Sequence, residues 1–278
     1  MIAWALYLPT GFGAVAFVLL VLALTLHSSL SHEILHGHPF RARWAQTALG
    51  IVQPGLFVPY LRFRALHLAH HEDSRLTDPY DDPESNFFDP VVWARMPRWA
   101  RALLNFNNTL CGRMLVGPFV GLYHFVSCDL RNIRKGDRII AFHWLAHLPG
   151  VVLTLWLVSL SALPLGLYLL ACYGALSILK IRTFLEHRAH ERASGRTVVI
   201  EDRGPLALLF LNNNYHVVHH MHPRAAWYQL PGLYRAQRDR YLRRNDGYRY
   251  RSYSEIFRAH FLRAKDPVAH PLWSKEPR

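Results

Sequence analysis

Asn212-Asn213-Asn214-Tyr215-His216-Val217-Val218-His219-His220-Met221-His222-Pro223 places four histidines in seven positions, directly after an apolar run. His216, His219 and His220 stand at i, i+3 and i+4, so a helix carries all three on one face. Imidazoles crowd into a dry site only if the rings stay neutral, and metal binding is the usual reason for such crowding. A histidine-rich tract can equally be solvated surface. The stretch therefore has to be weighed against the rest of the chain.

Working outward, the same spacing recurs in His67-Leu68-Ala69-His70-His71, and a shorter one in His32-Glu33-Ile34-Leu35-His36. A fourth position is the solitary His187 in Glu186-His187-Arg188. Three of these four groups follow an apolar segment directly, and all four can be placed on one membrane face. Together they offer nine imidazoles: His32, His36, His67, His70, His71, His187, His216, His219 and His220. That is more than one ion accepts, so two metal ions is the economical reading. All-nitrogen ligation suits iron, zinc or copper, whereas magnesium and calcium prefer oxygen. Glu33, Asp73, Asp82 and Glu186 are candidates to orient the rings through their second nitrogen. The remaining histidines read differently. His27, His124, His143 and His147 are singletons on apolar segments and read as helix-packing residues. His38, His190 and His222 flank the clusters but fall off their shared faces. His260 and His270 read as surface.

The composition sets the setting. Of 278 residues, 51% are hydrophobic, yet they are bunched: residues 11–27 and 139–179 contain no Lys, Arg, Asp or Glu. The remainder carries the net charge of +13. This block pattern predicts an all-α, polytopic membrane bundle with a charged helical cap, on the cytoplasmic side, that carries the histidine groups. Spans are expected at 11–31, 139–159 and 163–181, the last two joined by the uncharged turn Ser159-Leu160-Ser161-Ala162-Leu163-Pro164. Residues 45–61 are interrupted by Pro54, Gly55 and Pro59 and read as re-entrant or spanning. Pro39 is the expected stop of the first long helix. Arg41, Arg43, Arg131, Arg134, Lys135 and Arg138 mark a cytoplasmic edge. The same rule explains the basic balance without nucleic acid, which is not an expected partner. Residues 72–90 form an acidic loop punctuated by Asp-Pro turns. Residues 231–278 are a basic, Tyr-rich cytoplasmic tail of amphipathic helices, and the whole of 1–278 reads as one membrane-embedded domain. Cys111, Cys128 and Cys172 show no C-x-x-C spacing, which argues against a disulfide framework or a Cys-based metal site.

One motif supports a rival. His32-Glu33-Ile34-Leu35-His36 satisfies H-E-x-x-H, in which two histidines hold zinc and the glutamate activates water for peptide hydrolysis. A membrane metallopeptidase leaves both H-x-x-H-H groups unexplained, and three spaced clusters are a stronger signal than five common residues.

The three boxes in this order, at His32–His36, His67–His71 and His216–His220, resemble the integral-membrane fatty acid desaturase and hydroxylase superfamily. The resemblance runs from about Ser28 to Pro231. HEILHGHP, TDPYDDPES and HVVHHMHP are similar to a bacterial branch labelled fatty acid desaturase. The resemblance implies a non-haem centre of two iron ions, O2 as co-substrate, and a fatty-acyl or related hydrocarbon substrate. Glu186-His187-Arg188 fits the place of an added histidine before the third box, and an asparagine among Asn212–Asn214 fits a contact to metal-bound water. No catalytic residue separate from the metal ligands is expected. Desaturation is the leading reaction; hydroxylation, or ketolation of a carotenoid, would use the same scaffold. Nothing in the chain resembles a flavin, haem or iron–sulfur site. Electrons must then come from an external donor, a ferredoxin- or cytochrome b5-like protein suited to the Arg-rich face. The expected location is the bacterial inner membrane. One departure concerns the amino terminus. The family has a helical hairpin before the first box, and only Ala3 to Leu8 stand where its first arm belongs.

Overall fold

The computed structural model describes residues 13–273, apart from the side chain of Asp73. The segment Ala3 to Leu8, the start of the first expected span and the last five residues lie outside the described residues. The helices are α1 (Gly13–Leu35), α2 (Arg43–Gly50), α3 (Tyr60–His70), α4 (Pro90–Arg95), α5 (Arg98–Asn107), α6 (Leu110–Leu115), α7 (Gly117–Arg134), α8 (Arg138–Ser159) and α9 (Leu165–Thr183). They continue as α10 (Pro205–Leu209), α11 (His216–Met221), α12 (Leu230–Ala236), α13 (Arg238–Arg244) and α14 (Tyr253–His260). The only named strands among the described residues are two residues each, β1 (Val199–Ile200) and β2 (Arg249–Tyr250), paired in parallel. The all-α class therefore holds. Two compact units divide the chain: residues 1–65 with 118–179, and residues 66–117 with 180–278. The helix α3 passes from the first to the second at Leu66, and α9 does so at Lys180.

In the first unit, α1, α8 and α9 are long and apolar enough to cross a membrane, with 23, 22 and 19 residues. At about 1.5 Å per residue each approaches or exceeds the roughly 30 Å hydrocarbon thickness. Val15, Val18, Leu145, Val152, Trp156 and Leu170 stay exposed on these helices, as lipid-facing side chains do. The inner faces interlock: Leu20, Val21 and Leu24 of α1 pack with Tyr168, Ala171, Cys172 and Ala175 of α9. Small residues allow the backbones to close up, and a Cβ at Gly174 would meet Val21 at 3.4 Å. Polar side chains in α1 bond back along their own helix, Thr25 to the Val21 carbonyl at 2.8 Å and Ser31 to that of His27 at 3.0 Å.

One local feature differs from expectation. The helix α1 ends at Leu35, before Pro39. Gly37, at φ +103°, takes the left-handed position, and its N–H reaches the Ile34 carbonyl at 3.0 Å while the His38 N–H reaches that of Glu33 at 3.1 Å. This paired closure needs a residue free to adopt positive φ, which glycine supplies and proline does not. His36 thus stands one residue beyond the helix. Residues 45–61 are not one helix: α2 stops at Gly50, and the chain to Pro59 is irregular. Spanning-helix side chains satisfy its carbonyls, with the Tyr168 hydroxyl donating to Pro54 at 2.6 Å and His147 Nε2 bonding to Leu56 at 2.7 Å. His147 is the packing residue its singleton position implied.

A buried ion pair fixes α3 to α7. Arg62 Nε and Nη2 donate to both oxygens of Asp129 at 2.9 and 2.7 Å, and the Trp144 indole of α8 donates to Asp129 at 2.8 Å. Arg62 and Asp129 are both buried. Removing one partner of such a pair leaves an uncompensated charge, and the cost is about 3–5 kcal/mol. Asp129→Ala is expected to lower the thermal midpoint of the detergent-solubilised protein markedly and Asp137→Ala, at the exposed start of α8, much less; tryptophan fluorescence during heating measures both.

Candidate metal centre

In the second unit the backbone is shaped around the third box. Asn212, with Leu211 before it, takes positive φ (55° and 49°), turning the chain out of α10. Asn214 then ties the turn to β1, its Nδ2 donating to the Ile200 carbonyl at 2.6 Å, while the Ile200 N–H donates to the Asn214 carbonyl at 2.8 Å. The Val217 N–H continues this contact to Val198 at 2.9 Å. Beneath α11, Val217 and Val218 bury against Leu230, Tyr234 and Tyr241. With its apolar side committed to that core, the short helix turns its histidines the other way.

Seven histidines of this unit form two groups. The ring nitrogens of His70, His187, His216 and His220 lie within 4.8 Å of one another, and the same holds for those of His67, His71 and His219. His187 Nε2 sits 2.8 Å from His70 Nε2 and 3.2 Å from His216 Nε2. His71 Nε2 sits 3.0 Å from His67 Nε2 and 3.1 Å from His219 Nε2. Two nitrogens each about 2.1 Å from a shared ion, at roughly a right angle, lie about 3 Å apart, so these spacings fit metal ligation. In the first unit His32 and His36 face each other with ring centroids 4.8 Å apart.

The boxes do not act as blocks. Successive residues on a helix differ by about 100°, so i and i+4 diverge by about 40° while i+3 and i+4 diverge by about 100°. His67 and His71 accordingly join one group and His70 the other. In α11, His216 and His220 stay together and His219 crosses over. The face shared by His216, His219 and His220 is thus divided: the H-x-x-H-H spacing splits its histidines between two groups.

Carboxylates stand behind the rings. His70 Nδ1 meets Asp82 at 2.7 Å and His67 Nδ1 meets Glu84 at 3.0 Å. His216 Nδ1 meets Asn213 Oδ1 at 3.2 Å, and the Asn213 amide donates onward to Glu186 at 3.1 Å. Such partners fix the ring orientation and leave the opposite nitrogen for a metal. Asp82 is itself locked, accepting the Thr77 and Glu84 N–H groups, each at 2.9 Å. Of the four carboxylates expected to orient rings, Asp82 does so directly. Glu186 acts through Asn213, Glu33 lies 3.8 Å from His32 Nδ1, and the Asp73 side chain lies outside the described residues. Glu84 escaped sequence reading because the acidic loop looked like solvated turns. Lys265 escaped it too: this tail residue donates to the His187 carbonyl and is mostly buried.

Electrostatics favour a cation here. Burial pulls the His70 imidazole down, but Glu84 and Asp82 outweigh it and raise it to about 9. Burial, with His70 and His220 beside it, pushes His187 well below its ordinary value, and burial with His220 and His187 does the same to His216. The site thus combines neutral nitrogen donors with negative charge that welcomes a cation, whether proton or metal. The neighbouring histidines behave otherwise: His222 bonds the Tyr241 hydroxyl at 3.1 Å and His190 bonds Asp246 at 3.2 Å. His270, expected at the surface, is instead buried, with Thr77 at 3.2 Å.

Membrane-length helices stand beside two imidazole groups with carboxylate support, groups that could each hold a metal ion. The chain belongs to the fatty acid desaturase family, whose model matches residues 6–252. No curated protein matches the chain. The family activity is desaturase- or hydroxylase-type oxidation, with a lipid substrate and membrane association.

Asp82→Asn removes the charge behind His70 and is expected to weaken metal binding about 10–100-fold, because supporting partners of ligating histidines carry that much affinity. Chelator competition measures it, with Asp78→Asn, which caps the turn at Tyr80 and Asp81 and belongs to neither imidazole group, as the unaffected control.

Proposed function

We propose that this chain desaturates a fatty-acyl or related lipid chain, using O2 and two irons held by His32, His36, His67, His70, His71, His187, His216, His219 and His220. The observation that carries the reading is the division of seven of these into two carboxylate-backed groups, each offering convergent nitrogens. When bound, iron with O2 supplies the oxidant that an unactivated C–H bond requires. The overall change removes two hydrogens from adjacent carbons. It consumes one O2, two electrons and two protons, and yields two waters.

The protein's part is to position and to exclude. Asp82, Glu84 and Asn213 hold the rings so that the nitrogen donors are set before substrate arrives. Burial of His67, His70, His216 and His219 keeps bulk water from the reacting carbon. Electrons come from a ferredoxin- or cytochrome b5-like donor. Basic residues beside the spans (Arg41, Arg43, Arg131, Arg134, Lys135 and Arg138) support a cytoplasmic site in a bacterial inner membrane. The peptidase alternative is disfavoured because the group of His70, His187, His216 and His220 includes neither histidine of the H-E-x-x-H motif.

Expression in a lipid-producing host followed by mass spectrometry tests this reading. Desaturation is expected, seen as lipids lighter by two hydrogens and absent with His219→Ala. A gain of one oxygen instead assigns hydroxylation. Unchanged lipids together with peptide cleavage that Glu33→Gln abolishes contradict the proposal.

A further inference from the structure

Residues 261–273 follow α14, lie beyond the family match at residues 6–252, and run back across the second unit. The segment is tied down along its length. The Phe261 carbonyl accepts from the Cys111 N–H at 2.9 Å, and the Lys265 N–H donates to the Asn108 carbonyl at 3.2 Å. Further on, Ala269 forms a parallel bridge with Phe88. There the Phe88 N–H reaches the Val268 carbonyl at 2.9 Å and the His270 N–H reaches that of Phe88 at 2.8 Å. Two side chains leave this strap toward the histidines, and both lead to the same group.

The first is Lys265, whose Nζ donates to the His187 carbonyl. The second is His270, which reaches its target through two intermediaries. Its Nδ1 accepts the Leu272 N–H at 3.1 Å, and burial, with Arg196 nearby, pulls the imidazole below its ordinary value. A neutral ring whose Nδ1 accepts carries its proton on Nε2, so Nε2 donates to Thr77 Oγ1 at 3.2 Å. Thr77 needs such a tether. It is buried at φ +69°, a region that β-branched residues rarely occupy and that persists only where contacts over-determine it. Held there, its N–H donates to Asp82 Oδ2 at 2.9 Å, while Asp82 Oδ1 meets His70 Nδ1 at 2.7 Å. His70 and His187 belong to one imidazole group, with His216 and His220. Two arms of one segment thus end on one group.

Resting on the two-metal reading above, we propose that residues 261–273 are a strap that sets one of the two metal sites. His270, through Thr77 and Asp82, and Lys265, through the His187 carbonyl, are positioning residues for the ion held by His70, His187, His216 and His220. A ligating imidazole binds best when the group behind it fixes the ring, and the strap extends that support one contact further for His70. For His187 the support is to the backbone, because Lys265 holds the carbonyl of the residue that carries the ring. The strap therefore tunes the two ions unequally.

Anaerobic titration of the full chain in nanodiscs with ferrous iron, against a colorimetric chelator, reads the two ions separately. His270→Ala is expected to weaken one ion about tenfold and leave the other unmoved, and Lys265→Met to do the same. His270→Gln, which keeps a donor in place of Nε2–H, is expected to recover most of the loss, which guards against a folding defect. A double-mutant cycle reads the route through Asp82: on an Asp82→Ala background, His270→Ala is expected to cost little more, because the link it supports is already cut. His260→Ala, which loses a bond from the same tail to the Tyr250 hydroxyl, is the unaffected control. Equal weakening of both ions by His270→Ala, weakening of neither, or an undiminished loss on the Asp82→Ala background overturns the strap. A wild-type chain that binds no iron overturns the metal-centre reading itself, and the strap with it.

Discussion

The second unit depends on one constraint: several imidazoles must be held close together and point their free nitrogens at the same places. Ring nitrogens at 2.8–3.2 Å have no reason to stay so arranged unless something behind the rings fixes them. The acidic loop does this for the second box through Asp82 and Glu84. For the third box, the left-handed turn at Leu211 and Asn212 and the Asn214 clamp on β1 place α11, and Asn213 sets its first ring. The negative charge brought in by these supports is stabilising only beside a cation, which is why a ligand site and its carboxylates are built together.

The first unit has a different task with related physics. Its helices are held by shape, through small residues and interleaved aliphatics, and by the buried charged link from Arg62 to Asp129. The irregular chain between α2 and α3 is tolerated because Tyr168 and His147 satisfy carbonyls that lipid cannot. Gly50, the last residue of α2, leaves room for Tyr60: a Cβ there would lie 2.5 Å from its ring.

Much of this was legible in the sequence, for identifiable reasons. The three long helices could be read because a charge-free run of twenty residues has few other uses, and the boxes because a histidine spacing repeats. What could not be read depends on contacts distant in sequence. Glu84 and Asp82 look alike in an acidic loop; only the fold pairs one with His67 and the other with His70. His270 and Lys265 lie in a tail whose composition suggests surface, yet the chain folds back to bury them. The division of the second and third boxes between two groups was available in principle from the 100° helical step, but a shared-face reading treats i+3 and i+4 as neighbours and hides it.

That division is the central claim, and iron counting tests it most directly. Purified full-length protein analysed by plasma mass spectrometry should hold about two irons per chain, and His216→Ala with His220→Ala should reduce this to about one, because those residues serve a single group. Retention of both irons in the double variant, or a wild-type chain holding one zinc, would contradict the account.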